Sequence, residues 1–211
     1  MVVIVDYGMG NLRSVQKALE RIGSAAVVSD EAESVASAER LVVPGVGAFA
    51  DAMAGLRCLG LDEVVREVAV RGTPLLGICL GMEMLLDESE EFGTTAGLGL
   101  IPGRVVPVPA TASDGEPVKI PHIGWSALAL PEGRGSWKGT LLDGVTVGSA
   151  VYFIHSFMAR PDDPADRVAD CTYGGRPISA VIGRGNVVGC QFHPEKSGQV
   201  GLMALRRFLD R

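Results

Sequence analysis

Residues 74–81 read Pro74-Leu75-Leu76-Gly77-Ile78-Cys79-Leu80-Gly81, an apolar run of strand length. Met82-Glu83-Met84-Leu85-Leu86 follows at once, so a helix from about Leu80 to Asp87 begins where the strand stops. A strand without polar alternation is buried on both faces, as in a parallel sheet covered by helices. The sequence on the N-terminal side repeats the theme. Val2-Val3-Ile4-Val5, Ala25-Ala26-Val27-Val28 and Leu41-Val42-Val43 are short apolar runs, and residues 11–22, 31–38, 49–59 and 61–70 between them carry helical patterns. Strands alternating with helices predict an α/β fold, an open and mostly parallel sheet flanked by helices.

After Gly97 the texture changes to Pro, Gly and Thr with short β-rich runs such as Val105-Val106-Pro107-Val108 and Val151-Tyr152-Phe153-Ile154. Arg184-Gly185-Asn186, between Ala180-Val181-Ile182 and the strand at residues 187–192, supplies the turn residues of a hairpin. An amphipathic helix over residues 199–209 ends the chain. No repeat or low-complexity segment interrupts the 211 residues, a length that one core can serve, so residues 1–211 are expected to form a single domain.

Composition excludes several classes. The formal charge of −6, with no Lys/Arg cluster, opposes nucleic-acid binding by simple electrostatics. Apolar runs fall far short of the ~20 residues of a membrane span, and the N-terminus reads as a first strand rather than a signal peptide, so a cytoplasmic location is expected. The four cysteines, Cys58, Cys79, Cys171 and Cys190, show no C-x-x-C spacing, which argues against zinc and against a disulfide framework.

Cys79 is the one cysteine with a setting of its own. Gly77-Ile78-Cys79-Leu80-Gly81 has the G-x-nucleophile-x-G spacing, in which a sharp strand-to-helix turn projects the central side chain and flanking glycines admit neighbouring backbone. The following helix N-terminus is expected to lower the thiol pKa. The same glycines also suit a tight turn around an inert buried cysteine, and the motif alone does not separate the two.

A nucleophilic cysteine needs a base, and only His122, His155 and His193 are available. His193-Pro194-Glu195 follows an apolar strand, and residues two apart on an extended segment share a face, so Glu195 can orient His193. His122 and His155 have no carboxylate at such spacing, and His122 is read as structural. Oxyanion donors are expected from the Leu80 N–H and from Val46 or Gly47 in the turn Pro44-Gly45-Val46-Gly47. Strand ends of an open α/β sheet converge on one crevice, although a Gly-rich turn leading into a helix explains that segment equally.

Taken in order, Pro44-Gly45-Val46-Gly47, Gly77-Ile78-Cys79-Leu80-Gly81-Met82 and His193-Pro194-Glu195 resemble the class I, or triad, glutamine amidotransferases over the whole chain. More narrowly, Asp6-Tyr7-Gly8-Met9-Gly10-Asn11-Leu12, Pro121-His122-Ile123-Gly124-Trp125 and His193-Pro194-Glu195-Lys196-Ser197 look like the glutaminase subunits of imidazole glycerol phosphate synthase, from histidine biosynthesis. The resemblance implies a flavodoxin-like fold with an added β-rich C-terminal half. It implies a Cys79, His193, Glu195 triad that hydrolyses glutamine through a thioester and passes ammonia to a (β/α)₈-barrel cyclase partner, with no cofactor or metal. Glutamine contacts would fall on Gly47, Glu83, Glu91, Ser156 and Phe157, and the cyclase-docking face on Asn11, Tyr152 and Lys196. Two positions depart from the family pattern: Glu83 stands where Gln is usual, and Phe157 where Tyr is commoner. A carboxylate at 83 would repel the substrate's own carboxylate unless it binds the ammonium, is protonated or turns away. Outside the resemblance, Asn11 could simply cap a helix, and Gly8 and Gly10 lack the third glycine of a dinucleotide fingerprint. A stand-alone hydrolase with the same triad, or a flavodoxin-like module with a vestigial site, are the competing readings.

Overall fold

The computed structural model describes residues 1–211. Its first half runs β1 (Val2–Val5), α1 (Leu12–Arg21), β2 (Ala26–Ser29), α2 (Ala32–Ala36), β3 (Arg40–Gly45), α3 (Phe49–Cys58), α4 (Leu61–Val70), β4 (Leu75–Cys79) and α5 (Leu80–Met84). The second half is β5 (Glu88–Ser89), β6 (Thr95–Ala96), β7 (Gly103–Pro107), β8 (His122–Ala129), β9 (Ala150–His155), β10 (Phe157–Pro161), β11 (Arg167–Tyr173), β12 (Arg176–Arg184), β13 (Val187–Cys190) and α6 (Gly198–Leu209).

One nine-stranded sheet, in the order β2-β1-β3-β4-β13-β12-β11-β8-β9, draws on both halves of the chain. The strands β2, β1, β3, β4 and β13 pair in parallel, and β12, β11, β8 and β9 extend that sheet by antiparallel pairing. This is the α/β sheet flanked by helices that the alternating pattern predicts, with a C-terminal strand closing the parallel part. A second sheet, β10-β7-β5-β6, has four strands. The hairpin at Arg184-Gly185-Asn186 joins β12 to β13, as its turn residues predict.

Alternating side chains of the parallel strands feed two cores on opposite faces. Val2, Ile4, Leu76 and Ile78 meet Val15 and Leu19 of α1 and Leu205 and Phe208 of α6. Val3, Val5, Leu41, Val43 and Leu75 meet residues of α2 to α5, including Phe49, Met53 and Val65. Two-sided burial is why these strands lack polar alternation.

Three local expectations are corrected. The helix after Cys79 ends at Met84, not Asp87, because Leu85 and Leu86 bond three residues back, to Met82 and Glu83, and the Asp87 N–H turns to the Gly103 carbonyl. The strand before His193 ends at Cys190, not Phe192, although Gln191 N–H still reaches the Ala180 carbonyl. Asn11 occupies the N-cap position of α1 yet makes no side-chain cap hydrogen bond, so capping does not account for it.

The tightest constraint lies at the elbow. A Cβ on Gly81 would stand 1.8 Å from the Val43 carbonyl oxygen, and one on Gly77 would stand 2.5 Å from the Gly81 carbonyl oxygen. Both atoms are backbone and cannot swing away. Gly135, by contrast, has open space around its Cβ position and no positive φ. We therefore expect Gly81→Ala to destabilise the fold by about 3 kcal/mol or more in denaturant titration, while Gly135→Ala stays within about 1 kcal/mol of the parent.

Candidate active site

The C-terminal ends of β3 and β4 lie side by side, with Gly45 paired to Cys79, and β13 lies on the other side of β4, with Cys190 paired to Ile78. Cys79 adopts φ 54° and ψ −112°, a positive-φ conformation that costs a non-glycine residue of order 1–3 kcal/mol and is held by the packed strands around it. A cleft of about 270 Å³ opens there, lined by Cys79 with Val46, Gly47, Glu83, Glu91 and His193 among others. Leu80, His155, Ser156 and Phe157 also line it, so the expected nucleophile, oxyanion and substrate positions come together.

His193 Nδ1 lies 2.9 Å from Glu195 Oε1, and the two side chains are only 3% and 1% exposed. The expected pair is formed, but by different geometry. Residues 194–196 are a 3₁₀ turn, so the carboxylate curls back to the ring instead of lying beside it along an extended strand. The turn is anchored at both ends: His193 N–H donates to the Tyr152 carbonyl (3.0 Å), and Ser197 Oγ donates to the His193 carbonyl (2.7 Å). The outer nitrogen, His193 Nε2, is buried without a protein partner.

The Cys79 thiol is not bonded to His193. Its hydrogen-bond partners are the Ile154 carbonyl, 3.8 Å away, and the Gln191 side-chain amide at 3.9 Å. Burial pushes its pKa well up, the Glu83 carboxyl adds to the rise, and the Leu80 N–H pulls only partly against it. The expected depression by a helix N-terminus is thus overturned: α5 has five residues, too short to outweigh burial beside a carboxyl. Tyr7, at the end of β1, donates to the Pro44 carbonyl at 2.6 Å and so braces the turn before Val46 and Gly47. Gly47 has φ +105°, and a Cβ there would stand 2.6 Å from Met9 Cε.

Glu83 is buried, and its Oε1 accepts from Gln191 Nε2 at 2.8 Å. Burial raises its pKa to about 8, with Gln191 lowering it and Glu91 raising it. Glu91 Oε2 accepts from the Phe49 N–H at 2.6 Å, tying the rim of the cleft to the start of α3. His122 and His155, set aside as catalytic bases, form a hydrogen-bonded pair of which His155 lines the cleft. Because the Phe157 carbonyl can only accept, His155 Nδ1 is the donor at 2.7 Å, and its Nε2 accepts from His122 Nδ1 at 2.9 Å. His122 Nε2 then accepts from Ser126 Oγ, also 2.9 Å away. Burial lowers the His155 pKa to about 4, which keeps this chain neutral and directional.

Of the docking positions, Lys196 Nζ sits 5.9 Å from the centroid of the Tyr152 ring, and Trp125 meets that ring edge-on at 6.1 Å. The sequence reading missed Gln191, Tyr7 and the Ile154 carbonyl. Gln191 had a signal, since it stands two residues before His193 where β13 runs out. Tyr7 had another, because β1 and β3 end at the same edge. No group of three or more His, Cys, Asp or Glu side chains is arranged to hold a metal ion.

An elbow cysteine, a buried His-carboxylate pair and backbone donors around one crevice define a cysteine-dependent amide hydrolase architecture. The family model for "Glutamine amidotransferase class-I" matches residues 3–210. The chain is 50% identical over 209 residues to "Imidazole glycerol phosphate synthase subunit HisH 1" of Legionella pneumophila (strain Lens), covering 99% of this chain and 98% of that one. It is 51% identical over 209 residues to the HisH subunit of Geobacillus thermodenitrificans, covering 99% and 95% respectively. Among solved structures, a glutamine amidotransferase crystal structure superposes with a TM-score of 0.73 at 22% identity, covering 100% of this chain and 98% of the other. PurLQS from Thermotoga maritima gives a TM-score of 0.70 at 20% identity, with 99% and 97% covered. The chain therefore belongs to the class I glutamine amidotransferases and, within them, to the HisH subunits of imidazole glycerol phosphate synthase.

With Cys79 buried beside a carboxyl and Cys58 exposed, iodoacetamide at pH 8 should label Cys58 well before Cys79 in the unliganded chain. Peptide mass spectrometry reads the order, and earlier labelling of Cys79 would show that its thiol is already activated.

Proposed function

We propose that this chain is a glutaminase that hydrolyses glutamine to glutamate and ammonia and delivers the ammonia to a cyclase subunit. In that complex, imidazole glycerol phosphate and an aminoimidazole carboxamide ribotide are made for histidine biosynthesis. The observation that carries the reading is that Cys79 and His193 share one cleft, with Glu195 bonded to the ring nitrogen of His193, in a chain of this family.

In this reading Cys79 Sγ attacks the glutamine side-chain carbonyl carbon as its proton moves to His193 Nε2, the nitrogen that has no protein partner. Glu195 holds the other ring nitrogen and stabilises the imidazolium. Leu80 N–H, with an amide of Val46 or Gly47, receives the developing oxyanion. Collapse of the tetrahedral intermediate breaks the C–N bond, and the proton on His193 leaves with nitrogen as ammonia. Water, deprotonated by His193, then attacks the glutamyl thioester; glutamate departs and the thiol is restored. Gly47, Glu83, Glu91, Ser156 and Phe157 surround the substrate, and the carboxylate of Glu91 at the rim suits its ammonium.

We assign the partner to the face beside the cleft mouth and read it as a (β/α)₈ barrel. Ile123 pairs with Ile154 and Trp125 with Tyr152 across β8 and β9, so four apolar or aromatic side chains share one outward face. Ile123, Trp125 and Ile154 are 53%, 58% and 40% exposed, an unusual concentration for a free surface. Lys196 and Asn11 complete the proposed face. We read residues 1–211 as one glutaminase domain with no cofactor, and the complex as cytoplasmic, in keeping with four cysteines that form no disulfide.

Cys79→Ala in the complex should abolish glutamine-dependent synthesis and leave synthesis from ammonium salts intact; loss of both would break the proposed division of labour. Glu195→Gln should retain more turnover than His193→Ala, because an orienting group contributes less than the base it orients. Because Cys79 rests on Ile154 and not on His193, glutamine hydrolysis should rise about tenfold or more when cyclase is added. Full hydrolysis by the chain alone would instead indicate a stand-alone hydrolase.

A further inference from the structure

We propose that Glu83 is a specificity-determining residue that works as a neutral carboxylic acid, held by Gln191 and donating its O–H to an oxygen of the bound glutamine. The inference rests on the glutaminase reading and assigns to this chain a proton that glutamine binding requires.

The geometry argues for the acid. Glu83 lies within α5, in the wall of the cleft, and the only hydrogen bond of its side chain is from the neutral Gln191 amide, at 2.8 Å on Oε1. Its Oε2 has no protein partner and remains available to the cleft. No Lys or Arg lines that cleft. The titratable groups that act on Glu83 or share its cleft are Cys79 at the end of β4, Glu91 beyond β5, and His155 and His193. Charged residues on the other elements packed against α5 are occupied or exposed elsewhere. Arg40 of β3 donates to the Arg211 carbonyl and Arg57 of α3 to the Ala96 carbonyl, while Asp51 of α3 and Arg160 of β10 are exposed and Glu88 of β5 is half-buried outside the cleft. A buried carboxyl with a carboxyl neighbour and no cation keeps its proton.

Protonated, Glu83 has the shape of a glutamine side chain. One oxygen accepts from Gln191 and the other donates, where a carboxylate would present only lone pairs to a substrate whose own free ends include a carboxylate. Gln191 also approaches Cys79 Sγ at 3.9 Å, so the residue that orients Glu83 touches the nucleophile as well. Gln191 is a positioning residue in this account. Its Oε1 is buried without a partner, which leaves the amide fixed through its nitrogen alone.

Ionisation at about 8 gives the idea a pH window. We compare the wild-type complex with the Glu83→Gln complex, both with the cyclase, from pH 6 to 9.5. The substrate's own ammonium titrates in both, so the ratio of wild-type to variant KM isolates Glu83. That ratio should rise about tenfold between pH 7 and pH 9 with a smaller change in the kcat ratio. A flat ratio, or a variant whose KM is already many-fold higher at pH 7, would overturn the proposal in favour of a carboxylate that binds the ammonium.

A second measurement needs no turnover. The folded pKa lies above the unfolded carboxyl value, so between about pH 4.5 and 8 the folded chain holds a proton that the unfolded chain has released. Stability must fall with rising pH across that window, and Glu83→Gln has no such proton to lose. The Tm advantage of Glu83→Gln over wild type should therefore grow from pH 5 to pH 9, and a constant difference would contradict the proposal. If neither complex hydrolyses glutamine at any pH, the glutaminase reading fails, while the Tm comparison still decides the protonation of Glu83.

Discussion

The site depends on how closely two backbones approach. β3 and the start of α5 come together so tightly that a single methyl on Gly81 would overlap the Val43 carbonyl oxygen. That approach bends the chain sharply enough to hold Cys79 at positive φ, where it lines the crevice at the edge of the core it shares with Ile78. It also sets the Pro44–Gly47 turn beside the thiol, because Gly45 pairs with Cys79. Tyr7, donating to the Pro44 carbonyl, ties β1 to the same edge. Strand packing, loop position and nucleophile orientation therefore share one steric cause.

Electrostatics sets the resting state of the Cys79 thiol. The cleft carries Glu83 and Glu91 and no Lys or Arg, and the thiol sits beside the first of these, so burial and neighbours alike favour neutral groups. The neutral His122–His155 chain extends the same logic across the cleft. A site arranged in this way stores no thiolate. In the proposed reaction His193 accepts a proton at the moment of attack, and His193 has a nitrogen without a protein partner and the Glu195 side chain on its other nitrogen. Ile154 links this resting state to the exterior: its carbonyl faces Cys79, while its side chain belongs to the exposed strip with Ile123 and Trp125. Pressure on that strip is mechanically one residue from the thiol.

Much of this was legible in the residues themselves. The apolar runs at residues 2–5, 41–43 and 75–78 predict strands buried on both faces because each must feed two cores, and they do. The glycine spacing around Cys79 and the His193-Pro194-Glu195 run are local patterns, so they read directly. What did not read were consequences of three-dimensional assembly. The thiol pKa depends on how deeply Cys79 and Glu83 are buried, which no helix-terminus argument contains. The His193–Glu195 contact arises from a 3₁₀ turn imposed by Pro194 and the bonds to Tyr152 and Ser197, not from strand geometry. The early end of the helix after Cys79 reflects competition from Gly103, 16 residues away in sequence, for the Asp87 N–H.

The central claim is that Cys79 carries the glutamyl group. Acid-quenching the complex during glutamine turnover and analysing its peptides by mass spectrometry tests this directly. A glutamyl adduct on the peptide containing Cys79, absent from the Cys79→Ala chain, is the predicted result. Sustained glutamine hydrolysis with the adduct on another residue, or persisting after Cys79→Ala, would contradict the account.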